Sequence, residues 1–302
     1  MFGSRAAKTN GSHRPANATG LQRLDLAELH FAVDMPAGRH LDLPGRGTVF
    51  VREAPGPAGA PTVLLVHGLL ASADLNWSLA VPALAAKFRV IAPDLRGHGD
   101  GIPTRRFAGA QCADDLAAIV ERLELGRVIV VGYSLGGLVA QLFSRRHPEM
   151  LRGLVLCASA HSFASAGGGS AMRLMTHAAQ FAPKPWRRAA MMAVLAPRSS
   201  GHGQGRWVMD QVAKHDTRAI LQAAIEAVAF DSAEWLGSVV GPSAVVLTTG
   251  DQVVSPAVQR ELCRVLANPV VHEVDGDHFV CVKRPEAFNV ALIAACSGCA
   301  GG

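Results

Sequence analysis

Aromatic side chains are scarce in this chain: they make up 5% of its 302 residues, and Tyr133 is the single tyrosine. A sequence that is 49% hydrophobic with so few rings must build its interior from Ala, Val and Leu, and that content excludes global disorder. Long apolar runs are also missing. None reaches the roughly 18 residues needed to span a bilayer, and no apolar stretch precedes a cleavage-like site near the N-terminus. A cytoplasmic protein without integral membrane association is therefore expected. Cys112, Cys157, Cys263, Cys281, Cys296 and Cys299 are dispersed along the chain, unlike the dense framework of a small secreted domain. Cys296-Ser297-Gly298-Cys299 does form a C-x-x-C. It has no second pair and no following βαβ unit, so free thiols are expected, with no metal and no cofactor. The net charge of +5 comes from scattered Arg and Lys residues, which suits a solvated surface and argues against a nucleic-acid interface.

The chain is long enough for one large domain with an insertion. Residues 1–22 are polar, basic and without an apolar period, and read as a disordered tail. Short extended pieces around Glu28 to Val33 and Gly47 to Glu53 suggest an antiparallel hairpin. From Thr62 onward strands and helices alternate. Strands are predicted at Thr62 to Val66, Phe88 to Ala92, Val128 to Tyr133, Gly153 to Ala158, Ser243 to Thr249 and Val270 to Val274. Helices are predicted at Trp77 to Lys87, at Cys112 to Glu124 with Asp114 and Asp115 in its first turn, at Pro256 to Ala267 and at Pro285 to Ala295. Apolar strands alternating with helices specify an α/β fold, a mostly parallel sheet covered on both faces.

About 80 residues between the strand ending near Ala158 and the one beginning near Ser243 are too many for one crossover. They are read as an inserted helical cap over residues 161–240, dividing the core into 23–160 and 241–302. Helices are predicted there at Ala171 to Phe181, Arg187 to Leu195, Gly205 to Lys214 and Thr217 to Phe230, the last with Ile220, Leu221, Ala224, Ile225 and Val228 on one face. Met172, Met175, Phe181, Trp186, Met191, Met192, Trp207 and Met209 together suggest the lining of an apolar acyl pocket.

The organising stretch is Val128-Ile129-Val130-Val131-Gly132-Tyr133-Ser134-Leu135-Gly136-Gly137. Four β-branched residues make a buried strand, and Leu135, Leu138, Val139, Leu142 and Phe143 repeat at helical spacing. The turn falls at Ser134, where Gly-x-Ser-x-Gly removes the Cβ groups that would clash as the chain reverses. Its hydroxyl can then be held out at the carboxyl end of the strand, beside a helix N-terminus that favours developing negative charge. His67-Gly68-Leu69 ends another strand on the same edge. Backbone N–H groups of Leu69 and Leu135 could converge there on one oxyanion, with His67 bracing the loop.

A serine needs a base, and the base an orienting acid. Asp251 ends one downstream strand and His278 follows the next, giving the chain order Ser, Asp, His. Asp277, Asp275, Asp231 and Glu234 are rivals to Asp251 without its combination of edge position and order. His98, in Asp94-Leu95-Arg96-Gly97-His98-Gly99, is assigned to a structural loop in which Asp94 and Arg96 hydrogen-bond locally. His147, His161, His177, His202, His215 and His272 are expected at the surface or at helix ends.

On these motifs the chain resembles the α/β-hydrolase superfamily from about residue 45 to the C-terminus, most closely its capped bacterial esterase and lipase group. The resemblance implies a Ser134–His278–Asp251 triad, an oxyanion hole from Leu69 and Leu135, a helical cap, and hydrolysis of small apolar carboxylic esters without a cofactor. The same triad also suits acyl transfer, cofactor-free peroxidation, lactone opening or carbon–carbon hydrolysis. A non-catalytic small-molecule receptor is the alternative of a different class. Relatives with an aspartate nucleophile are disfavoured by the serine at position 134.

Overall fold

The computed structural model describes residues 30–31, 35–163, 178–195 and 204–301. Its core is one eight-stranded sheet. The first two strands, β1 (Gly38–Leu43) and β2 (Gly47–Ala54), form an antiparallel hairpin, and β2 pairs antiparallel with β4 (Arg89–Pro93). The remaining strands are β3 (Thr62–Val66), β5 (Val128–Tyr133), β6 (Leu151–Cys157), β7 (Ser243–Thr248) and β8 (Val270–Val274); the sheet order is β1-β2-β4-β3-β5-β6-β7-β8, and from β4 onward the neighbours pair parallel. Strand β5 lies near the middle and every one of its residues is buried. Val128 and Val130 face one apolar cluster, while Ile129, Val131 and Tyr133 face the other, as the period of two in a strand requires.

Helices cover both faces. On one side lie α3 (Gly109–Arg122) and α4 (Leu135–Arg146), contributing Leu116, Ile119, Leu138 and Phe143. On the other lie α1 (Ala73–Trp77) and α2 (Ala80–Ala85), through Trp77 and Leu84. The inserted segment between β6 and β7 contains α5 (Lys184–Leu195), α6 (Gln204–Ala213) and α7 (Thr217–Ala229). The chain ends with α8 (Pro256–Val265), α9 (Val280–Lys283) and α10 (Pro285–Ala300); α10 places Phe288 and Leu292 in the same cluster as Trp77.

Several local expectations change. Only His30 and Phe31 of the piece at Glu28 to Val33 are described, and neither is in a strand; the hairpin partner of β2 is Gly38–Leu43. In that edge strand only Leu41 and Leu43 point inward, so its polar residues hid the pattern. The helix predicted from Trp77 to Lys87 is the shorter α2, and a separate helix, α1, precedes it and ends at Trp77. Ser72 caps α1 by accepting from Leu75 N at 3.2 Å. A continuous helix would require an N–H at Pro82 to reach one turn back; starting α2 at Ala80 puts the proline in a first turn, where no donor is needed. Helix α3 starts at Gly109, three residues early, so Asp114 and Asp115 sit in its second turn. There Asp115 binds Arg46 at 2.6 Å and also pairs with Arg96.

In the insertion, most of the helix predicted at Ala171 to Phe181 lies outside the described residues, with Met172, Met175, His177 and His202. Helix α7 buries Ala219, Ile220 and Ala223, whereas Leu221, Ala224, Ile225 and Val228 are half-buried, so its inward face is rotated from the predicted one. Phe181 and Trp186 do not line a pocket; each is 74% exposed. Arg187 turns inward instead, bonding Thr217 Oγ1 at 3.2 Å, and its neighbour Trp186 is thereby carried to the solvent side of α5. Met191, Met192 and Trp207 gather around Leu75, Val208 and Val212.

All six cysteines are free. Cys296 and Cys299, one helical turn apart on α10, are both buried in the apolar cluster, and burial pushes the Cys299 thiol up to about 11. Among the described residues no His, Cys, Asp and Glu cluster could hold a metal ion, and no helix is long and apolar enough to cross a membrane.

Candidate active site

Ser134 occupies the turn between β5 and α4 with φ 51° and ψ −117°, a conformation that L-residues rarely adopt. Such a residue costs on the order of 1–3 kcal/mol and persists only when its surroundings over-determine it. They do so here. Ser134 N donates to Cys157 O at 2.9 Å, and its carbonyl accepts from Gly137 N at 2.8 Å and from Ser159 Oγ at 3.0 Å. The flanking glycines permit the crossing: a Cβ on Gly132 would lie 2.4 Å from Gly136 O, and one on Gly136 would lie 2.1 Å from Val66 O.

The held-out hydroxyl meets a histidine. Ser134 Oγ lies 3.0 Å from His278 Nε2, and His278 Nδ1 lies 2.7 Å from Asp251 Oδ2. A carboxylate accepts, so the Nδ1 atom carries the ring proton, Nε2 is left as an acceptor, and Ser134 Oγ–H donates to it. Asp251 is 2% exposed and both its oxygens are engaged. Oδ1 accepts from Val253 N and Val254 N at 2.8 Å each, and Oδ2 accepts from Thr248 Oγ1 at 2.9 Å. Buried Gln259 ties this together, donating to Thr248 Oγ1 at 2.8 Å and to Val254 O at 2.7 Å. The loop carrying His278 is anchored by Tyr133 Oη–H, which donates to His278 O at 2.7 Å. Neither Tyr133 nor Gln259 was singled out from sequence for these roles. The position of Tyr133 inside Gly-x-Ser-x-Gly was the one available signal.

The Gly68–Leu70 loop follows β3 on the same sheet edge. Gly68 approaches so closely that a Cβ there would lie 3.4 Å from Ser134 Cβ. Gly68 N donates to Asn76 Oδ1 at 2.9 Å, a support that sequence gave no reason to name. His67 braces the loop by donating from Nδ1 to Gly68 O at 2.9 Å and accepting from Leu95 N at Nε2, also at 2.9 Å. Complete burial pushes its pKa down to about 3, so the ring stays neutral. Leu69 N has no hydrogen-bond acceptor among the described residues. Leu135 N is at the first position of α4, with no carbonyl one turn behind it. Leu135 follows Ser134 in the chain, and Leu69 follows Gly68, which packs against Ser134.

The other candidates lie elsewhere. Asp277 accepts from Phe279 N at 2.8 Å and Lys283 Nζ at 2.9 Å. Asp275 pairs with Arg284, and Asp231 accepts from Ala233 N at 2.9 Å. Asp94 binds Ala73 N and Asp100 N at 2.7 and 2.8 Å, and burial raises its pKa to about 6. His147 closes α4 beside Asp114. His215 stands between the ends of α6 and α7, as a helix-end residue, yet is 5% exposed, because the inserted segment folds that connection down onto the core.

Comparison with known proteins agrees with this architecture. The family model for the alpha/beta hydrolase fold matches residues 61–285. The chain is 27% identical over 248 residues to the magnesium-chelatase 30 kDa subunit of Rhodobacter capsulatus, covering 74% of this chain and 83% of that one. It is 40% identical over 103 residues to the pimeloyl-(acyl-carrier protein) methyl ester esterase of Neisseria meningitidis, a match spanning 34% of this chain and 38% of that protein. Among solved structures, an esterase from Exiguobacterium antarcticum superposes with a TM-score of 0.72 at 16% identity, covering 86% of this chain and all of the other. With its sheet order, its strand-turn-helix at Ser134 and a family match over residues 61–285, the chain belongs to the alpha/beta hydrolase family.

Proposed function

We propose that this chain is a serine hydrolase that cleaves carboxylic esters of apolar acyl groups through an acyl-enzyme. The observation that carries the reading is the continuous relay from Ser134 Oγ through His278, with contacts of 3.0 and 2.7 Å, to a buried and fully engaged Asp251. Ser134 attacks the ester carbonyl while His278 Nε2 takes its proton. Asp251 keeps the ring in the required tautomer and stabilises the imidazolium that forms. The negative charge on the tetrahedral oxygen is received by the N–H groups of Leu69 and Leu135. His278 returns its proton to the departing alkoxide, then accepts one from a water that attacks the acyl-enzyme, and Ser134 is regenerated.

Helices α5 to α7 act as a cap in this reading. Ala71 and Leu75, beside the Gly68–Leu70 loop, pack against Val208, Val212, Met191 and Trp207 of the insertion. That surface has the apolar character an acyl chain requires, and methionine adapts to varied chain shapes. Hydrolysis of p-nitrophenyl esters from acetate to palmitate, by wild type and Ser134→Ala, tests the reading. Loss of kcat on the order of a million-fold is expected in the variant. A folded wild-type protein inert across the series would refute it.

A further inference from the structure

A buried histidine links the inserted helices to the loop that carries Leu69. His215, between α6 and α7, reaches both halves of the core edge: its Nδ1 lies 2.8 Å from Gly99 N, and its Nε2 lies 3.2 Å from Leu70 O. The partners dictate the tautomer. Gly99 N–H can only donate, so Nδ1 must be bare; Leu70 O can only accept, so Nε2 must carry the proton. An imidazolium would set an Nδ1–H against the Gly99 N–H and lose that contact.

What His215 grips is strained. Leu70 has φ 59°, a left-handed conformation that a leucine keeps only under constraint. The preceding glycine is fixed by the core, through Asn76 at its N–H and His67 at its carbonyl. Leu70 is fixed at its carbonyl by His215. The direction of the Leu69 N–H is thus set from the core at one end and from the insertion at the other.

We propose that His215 is a positioning residue: its neutral ring clamps Leu70 O so that the Leu69 amide points at the reacting oxygen, coupling the seating of the inserted helices to turnover at Ser134. This inference rests on the ester-hydrolase reading above. It assigns His215 no contact with substrate.

Acid acts on only one of the two contacts. His98 stands 5.6 Å from the His215 ring and His67 stands 5.2 Å from His98, each buried and held neutral. Lys214, next in the chain, pairs with Asp100 at 2.6 Å, and Asp94 bonds the Asp100 amide. Burial pushes His215 down to about 4; the Leu70 contact and Asp100 oppose the fall, and Lys214 adds to it. Both contacts are accordingly made at neutral pH; toward pH 4 the imidazolium loses Gly99 N while its Nε2–H still donates to Leu70 O.

Three substitutions separate the two contacts. His215→Phe keeps the volume and removes both. His215→Gln keeps an amide N–H within reach of Leu70 O, and His215→Asn keeps an oxygen within reach of Gly99 N. With p-nitrophenyl butyrate at pH 7, His215→Phe is expected to lower kcat tenfold or more with KM changed by less than threefold. His215→Gln should retain at least threefold more kcat than His215→Asn. Wild-type kcat in His215→Phe, or equal rates for Gln and Asn, would overturn the proposal. Ser134→Ala, run alongside, separates the failures: an active Ser134→Ala sinks the esterase reading, whereas an inactive one with normal His215 variants sinks only the clamp.

A readout independent of turnover is amide hydrogen exchange over residues 68–71. At pH 7, exchange there should be at least tenfold faster in His215→Asn, which lacks the Leu70 contact, than in His215→Gln, with β5 equally protected in both. This measurement remains decisive if His215→Phe does not fold, and equal exchange in the two variants contradicts the clamp.

Discussion

Acid should unfold this protein through three histidines, and the size of the effect follows from their burial. His67, His98 and His215 lie in one buried group, with the first pushed to about 3, the third to about 4 and the second well below its ordinary value of 6.5, in each case chiefly by burial. Each is neutral when folded and protonates near pH 6.5 when unfolded. The unfolded state therefore binds more protons below pH 6.5, and stability falls as pH falls. From pH 7 to pH 5 His67 and His215 each remove about 2 kcal/mol, at 1.36 kcal/mol per pH unit, and His98 adds a loss of the same sign. Asp94 acts in the opposite sense. Its folded pKa of about 6 exceeds the ordinary 3.8, so folded protein takes up its proton first on acidification and regains between 1 and 2 kcal/mol.

His67, His215 and Asp94 together give a net loss of roughly 2–3 kcal/mol, which His98 enlarges, a large share of the 5–15 kcal/mol typical of a folded domain. Urea unfolding followed by tryptophan fluorescence at pH 7, 6 and 5 measures it as a fall in midpoint at constant slope. His98→Phe is the specific control. The Nε2 atom of His98 is buried without a partner, and its ring already packs 5.8 Å from Phe107. Whatever the substitution does at pH 7, it should reduce the loss between pH 7 and pH 5. A midpoint that holds or rises on acidification, or a loss unaltered by His98→Phe, would refute the reasoning.

Three further outcomes are expected. Gly137→Ala places a Cβ 2.1 Å from Ser159 Oγ, behind the Ser134 turn; destabilisation of about 1–3 kcal/mol in urea melts is expected, and a neutral effect would show that the turn has slack. Asp251→Asn should preserve the fold while lowering kcat about ten-thousand-fold on p-nitrophenyl esters, because the amide no longer enforces the Nδ1–H tautomer of His278. Near-normal turnover would remove Asp251 from the relay. Native protein titrated with a thiol reagent should react first at Cys263, the one half-buried cysteine, with all six reacting in denaturant; rapid reaction at Cys296 or Cys299 would contradict their burial in α10.

The parts of the molecule that sequence revealed share a cause. Val128 to Tyr133 is buried on both faces, so its apolar run is unbroken, and the serine after it is flanked by glycines that no ordinary turn requires. Asp251 and His278 end successive strands, and a parallel sheet brings strand ends to one edge whatever the intervening helices do. The supporting residues obey no such rule. Asn76 is a polar residue in a helix with nothing local to mark it as the acceptor for Gly68, and Gln259 sits in α8 facing Thr248 and Asp251 only after the sheet has formed. The burial of His215 at its helix end was hidden because its partners, Leu70 and Gly99, are more than 100 positions away. The misplaced β1 and the shortened α2 show the converse. An edge strand buries only alternate residues, and Pro82 breaks a helical period that otherwise continues.

The most direct test of the central claim is covalent capture at Ser134. Wild-type protein treated with an alkyl fluorophosphonate and analysed by intact and peptide mass spectrometry should gain one adduct, placed on Ser134. The adduct should be absent in Ser134→Ala and slowed by orders of magnitude in His278→Ala. An adduct on another residue, or none on folded wild-type protein, would contradict the assignment of Ser134 as the nucleophile.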